Sequence, residues 1–180
     1  MTYFIGGNSG LWKIVKMGAV TGQGLDRASH LAVFDDNQTQ PIPQGLWRLR
    51  GVPSYERYVT RDEKNELTAK SPPLGRAGST RAAMIPIRKN ADWWNLAQDE
   101  RRAIFEERSS HIKAGLEVVP AVARRLYHCR DLGEPFDFIT WFEFSPGDEA
   151  AFEGLVLKLR KTEEWKFVDR EIDIRLVKNG

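Results

Sequence analysis

Cysteine and histidine are scarce in this sequence: one of the former, Cys129, and three of the latter among 180 residues. A lone thiol closes no internal disulfide and builds no thiolate metal cage, which favours a reducing compartment. No run reaches the apolar length of a membrane span, so no membrane partner is expected. The N-terminal stretch MTYFIGGNSGLWKIVKMG has no basic region followed by a continuous apolar run, and no signal peptide reads from it. A cytoplasmic location is expected, or a periplasmic one if a leader has been removed. An excess of one charge is missing too. The net charge is +2, and lysines and arginines are interleaved with acids rather than gathered in a block. That gives no footing for a nucleic-acid partner.

What is present suits a globular chain long enough to bury a core: 29% charged and 41% hydrophobic residues. Six tryptophans and nine phenylalanines furnish either a bulky core or the walls of a pocket for a flat apolar ligand. The second half is the more legible. RAAMIPI reads as a strand. LAQDERRAIFEERSSHIKAG (96–115) reads as a helix, with Asp99 and Glu100 at its positive end, Ile104, Phe105 and Ile112 at roughly helical spacing, and Gly115 as its stop. AVARRLYHC (121–129) and FDFITWFEF (136–144) read as strands joined by the turn RDLGEP. DEAAFEGLVLKLRK (148–161) places Phe152, Leu155, Val156 and Leu159 on one helical face, and REIDIRLV (170–177) alternates as a final strand.

Strand, helix, strand, strand, helix, strand is the order of a split β-α-β motif. The expected class is therefore α+β with antiparallel sheets: a ferredoxin-like C-terminal half (81–180) and a truncated, related N-terminal lobe with its linker (1–80). One face of such a sheet carries the helices, and a second sheet, a subunit or a ligand must cover the other. In the first half SHLAVFDD (29–36), QGLWRLRGV (44–52) and SYERYVTR (54–61) are predicted strands. NQTQPIPQ separates the first two, and 62–79 is predicted to be a loop or linker.

Three features carry chemistry. His111 sits where a charged helix is predicted to end, with no HExxH pair and no histidine at i+4. A multidentate zinc or non-haem iron site is thus poorly supported, whereas a single imidazole is what a haem needs, because the porphyrin supplies four nitrogens. A solvent-facing histidine at a helix end is the plain alternative. In a strand, Arg124 and Leu126 share a face, as Thr140 and Phe142 do in the next. If these faces coincide, an apolar pocket holds one permanently charged guanidinium that attracts a small anion; an arginine paired with an acid at an edge is the plain alternative. Glu163 and Glu164, past the second helix, offer a carboxylate for the other ring nitrogen of His111, or are simply solvated.

The run DWWNLAQDERRAIFEERSSHIKAG…VVPAVARRLYHCRDLGEPFDFITWFEF…LRKTEEWKFV resembles the chlorite dismutase family of haem proteins, over residues 44–177, and its compact, dimeric branch in particular. The resemblance implies ferredoxin-like halves, haem b and a homodimer. It implies that chlorite is converted to chloride and dioxygen, the O–O bond forming between an oxo-iron species and a retained hypochlorite fragment. His111 matches the proximal ligand, and Glu164 the glutamate that hydrogen-bonds it, with Glu163 next if the register slips by one. Arg124 matches the distal arginine. Lys89, Trp93 and Tyr58 match haem-lining positions, Lys89 and Tyr58 near the propionates, and Leu126, Thr140 and Phe142 match the distal wall. A coproheme decarboxylase, which shares the fold and generally lacks that arginine, a non-catalytic haem-binding protein and a haem-free ferredoxin-like dimer are the rival readings.

Overall fold

Apolar residues at every second position build the sheet of this chain, here described from a computed structural model covering residues 1–36, 44–54 and 58–179. The strands are β1 (Thr2–Gly7), β2 (Trp12–Thr21), β3 (His30–Asp35), β4 (Trp47–Pro53), β5 (Arg81–Lys89), β6 (Ala123–His128), β7 (Phe138–Phe144) and β8 (Val168–Lys178). They close into one antiparallel barrel in the order β1-β3-β2-β8-β5-β7-β6-β4, and β4 returns to β1 with Trp47 opposite Gly6. A Cβ on Gly6 would lie 2.1 Å from the Trp47 ring, so only glycine lets that indole lie across β1.

Alternation sorts the side chains into two buried layers. Phe4, Trp12, Leu31, Leu49, Met84, Ile139, Trp141, Ile172, Ile174 and Leu176 form one cluster drawn from strands all round the barrel, its interior. The neighbouring residues of β5 and β7, among them Ala83, Ile85, Phe142 and Phe144, face the other way and pack on Phe152 and Val156 of a helix. Helices α1 (Arg61–Lys70), α2 (Ala91–Asn95), α3 (Gln98–Arg102), α4 (His111–Val118) and α5 (Glu149–Leu159) complete the chain. None among the described residues is long and apolar enough to cross a membrane.

Several expectations are revised. The chain's own N-terminal strands cover the second face of the sheet, and strands on both sides of residue 80 share one barrel. β1 and β2 went unread because glycines interrupt the first and the second is exposed over most of its length. Of the predicted loop 62–79, residues 62–70 are helix. Thr60 Oγ1 accepts from the backbone N–H of Glu63 while the Glu63 carboxylate accepts from that of Thr60, a capping box that starts α1 despite its polar composition. In the predicted strand 54–61, residues 55–57 fall outside the described residues, as do 37–43 of the predicted connection. Tyr58 has a left-handed backbone (φ 63°) and Arg61 already belongs to α1, so 58–61 is not a strand. The helix predicted over 96–115 is two: α3 runs into a π-helical stretch, Ala103–Arg108, and α4 starts afresh at His111. Gly115 lies within α4 and does not stop it.

Phe152 joins α5 to the barrel. It is fully buried, with its ring 5.0 Å from Phe142 and 4.6 Å from Phe144. Phe152→Ala should lower the unfolding free energy by about 3–5 kcal/mol, from lost transfer energy plus an unfilled cavity. Urea denaturation followed by tryptophan fluorescence checks this; a loss below about 1 kcal/mol would mean that α5 is not anchored there.

Candidate active site

The site starts from a break in a helix. Ser110 adopts a left-handed backbone (φ 51°), which resets the chain direction between the π-helical stretch and α4. Such a conformation is costly for a residue with a Cβ and persists only when neighbours hold it. Here the Glu106 carboxylate accepts from the backbone N–H groups of Ile112 (2.5 Å) and Lys113 (3.2 Å), satisfying helix-start donors that Ser110 does not cap. His111 is thus the first residue of α4, not the last of a longer helix.

Its ring is fixed on several sides. Phe105 stacks on it with centroids 4.3 Å apart, and Trp165 lies roughly parallel at 6.3 Å. Nδ1 is 2.6 Å from Oε2 of Glu164. Glu164 is buried, and burial alone would raise its pKa. The His111 ring and the Lys89 ammonium, 2.8 Å from Oε1, outweigh that and hold it down at about 2. An ionised carboxylate only accepts hydrogen bonds, so Nδ1 carries the proton and donates it. The Nε2 lone pair is left for a ligand.

Lys89 and Glu164 bury 96% or more of their side chains. Lys89 also lies 4.5 Å over the Trp93 ring, and its backbone N–H donates to Asp137 at 2.7 Å. Burial pushes the Asp137 carboxyl up, and it accepts a second bond, from the Trp94 indole, at 3.1 Å. Glu163, the alternative partner for His111, instead pairs with Arg108 near the surface at 2.9 Å.

His111 opens onto a cleft between the helices and the outer face of β5, β7 and β6. In the β6–β7 ladder Arg124 stands opposite Phe142 and Leu126 opposite Thr140, so all four share one face, and all four line the cleft. The alternation read from sequence selects that same face. Tyr58, Lys89, Trp93, His111 and Glu164 line it too, so the structure brings all nine sequence-predicted residues to one cavity. The Lys89 ammonium, at the edge of the cleft, is held by Glu164. Buried Trp93 has an indole N–H with no hydrogen-bond partner among the described residues. Tyr58 packs edge-on to Trp93, and its carbonyl accepts from Arg102, whose guanidinium is gripped by Glu63 at 2.7 and 2.8 Å. That salt bridge, chiefly the Arg102 hydrogen bonds, lowers the pKa of Glu63.

Sequence reasoning missed Glu106, Ser110 and Arg102. The Thr60-x-x-Glu63 pattern was one available signal: it marks the start of α1, whose Glu63 holds Arg102. Among the described residues no group of three or more His, Cys, Asp or Glu side chains is placed to hold a bare metal ion.

The chlorite dismutase family model matches residues 25–178. The chain belongs to the chlorite dismutase family. The chlorite dismutase of Ideonella dechloratans is 36% identical over 126 residues, 66% of this chain but 40% of that protein. A dimeric chlorite dismutase from Nitrobacter winogradskyi is 55% identical, covers 99% of this chain and 100% of its own, and superposes with a TM-score of 0.92. The chlorite dismutase of Candidatus Nitrospira defluvii, in complex with imidazole, is 28% identical, with a TM-score of 0.59 over 82% of this chain and 56% of that one. The chain therefore spans two fifths to somewhat over half the length of these longer relatives. It shares with the family a mixed α and β architecture around an antiparallel sheet.

Removing one member of the buried Lys89–Glu164 pair strands the other's charge. Lys89→Met and Glu164→Ala should each cost about 3–5 kcal/mol of unfolding free energy, and the double variant much less than their sum. Urea denaturation of the four proteins tests this coupling; strict additivity would sink it.

Proposed function

We propose that the cleft holds haem b and that the protein converts chlorite to chloride and dioxygen (ClO2⁻ → Cl⁻ + O2), working as a homodimer. The observation that carries this reading is a lone imidazole, fixed through Nδ1 by a buried ionised glutamate at 2.6 Å, in the same apolar cleft as Arg124. The residues fit the cofactor. A porphyrin brings four nitrogens and needs one more ligand, which His111 Nε2 supplies. The walls are largely apolar, from Ile85, Ile87, Leu126, Phe138 and Phe142 among others, as a macrocycle requires. The indole N–H of Trp93, without a partner among the described residues, suits an acidic group at the cofactor's edge, and Tyr58 stands beside it. Haem bound there supplies the iron at which the Cl–O bond breaks and the O–O bond forms.

The chain's own residues do the rest. Glu164, accepting the Nδ1 proton, makes the imidazole a stronger donor, and Lys89 keeps Glu164 ionised. Arg124 stays protonated at any working pH and sits on a strand rather than a loop, so chlorite meets a cation already in position. One negative charge enters and one leaves, and the overall reaction takes up or releases no proton. A fixed cation therefore serves where a general acid is not needed. Leu126, Thr140 and Phe142, around that cation, limit water, which strengthens its hold on the anionic chlorine fragment until dioxygen is made.

The 55% identity to a dimeric chlorite dismutase supports the homodimer, and the 36% identity to the Ideonella dechloratans enzyme supports the activity. The strand order β8-β5-β7-β6 supports reading 81–180 as a ferredoxin-like half.

His111→Ala should bind haem at least about 10-fold more weakly, read by titration of the Soret band; unchanged loading would remove His111 as the ligand. Arg124→Ala should keep its haem yet release more hypochlorite during turnover, measured with a chlorination trap. Trapped hypochlorite and enzyme lifetime at wild-type levels would discard the retention role.

A further inference from the structure

We propose that Gly115 is the position that admits the cofactor: its missing side chain keeps open the space beside His111 in which the edge of the macrocycle lies. This rests on the reading of the cleft as a haem site. Gly115 lies inside α4 (His111–Val118), where glycine weakens a helix and no turn calls for it. It is not among the glycines with a left-handed backbone. A Cβ built on it meets, among the described residues, no heavy atom within 4 Å beyond its chain neighbours and its own helix backbone, so packing does not demand glycine either. Gly115 does line the cleft. It follows His111 by four residues and therefore shares its helical face. Helical Cα–Cβ bonds tilt toward the helix N-terminus, so a side chain at 115 would lean toward the imidazole and into the space an Nε2 ligand needs.

Gly154 is a built-in control. It too lies inside a helix, α5, and by the same measure a Cβ there also meets nothing within 4 Å, but it faces solvent and is not part of the cleft. The two glycines carry the same helix penalty, and only one of them has a cleft to keep open.

The test compares Gly115→Ala, Gly115→Leu and Gly154→Ala with wild type and His111→Ala, by hemin titration of the full chain and thermal unfolding of the haem-free protein. Both alanine variants should unfold a few degrees higher than wild type, by about the helix-propensity gain. Hemin affinity should fall about 3-fold in Gly115→Ala and about 10-fold or more in Gly115→Leu, and stay unchanged in Gly154→Ala. Gly115→Leu binding hemin as tightly as wild type, while His111→Ala does not, would overturn the role of Gly115 alone. If Gly115→Leu fails to fold, wild-type affinity in Gly115→Ala overturns it. Hemin binding in wild type that does not depend on His111 would instead overturn the haem reading itself.

Discussion

A carboxylate held between an ammonium and an imidazole N–H organises this protein. Glu164 is buried, accepts from Lys89 on one oxygen and from His111 on the other, and takes a third tie through its own backbone N–H, which donates to Ser109 Oγ at 3.0 Å. Burying one charge without a partner would cost several kcal/mol, so each member is needed to keep the others in place. The three come from β5, the start of α4 and the turn before β8. A functional geometry is thereby tied to the closure of the fold. Because Glu164 is ionised, the tautomer of His111 is set, and the nitrogen that faces a ligand is no longer free to vary.

The barrel explains why such a site can exist in a chain of this size. β5, β7 and β8 are buried on both sides, with an apolar interior on one and helices on the other. The interior cluster supplies rigidity, and the outer face carries the site. Under α5 that face holds a polar network in which Arg160 binds Glu171 and Asp173, and Glu171 accepts the Trp165 indole at 2.8 Å. Trp165 in turn flanks His111. The ring is therefore supported from the sheet as well as from its own helix.

How much of this could be read in advance depends on whether the signal is local. The face shared by Arg124, Leu126, Thr140 and Phe142 follows from strand periodicity, and the β6–β7 register places them opposite one another. The amphipathic stripe of α5 is local in the same way. The Lys89–Glu164 contact joins residues 75 apart, and no pattern within either segment announces it. Resemblance put Lys89 near the cofactor but could not say which acid it meets. The break at Ser110 was hidden because Ile104, Phe105 and Ile112 keep an approximately helical spacing across it. α1 was hidden by its polarity, since only Leu67 is buried there, although its capping box was legible. β1 and β2 become strands through partners far along the chain, a tertiary effect that overrides weak local preference.

The proposed function requires one cleft to keep both oxygens of a single chlorite away from water until they are joined. Haem-loaded protein given ¹⁸O-labelled chlorite in ordinary water, with the gas analysed by mass spectrometry, tests it most directly. One dioxygen per chlorite, with both atoms labelled, is the expected result. No dioxygen, or dioxygen carrying solvent oxygen, would show that the cleft does not hold the reacting fragment.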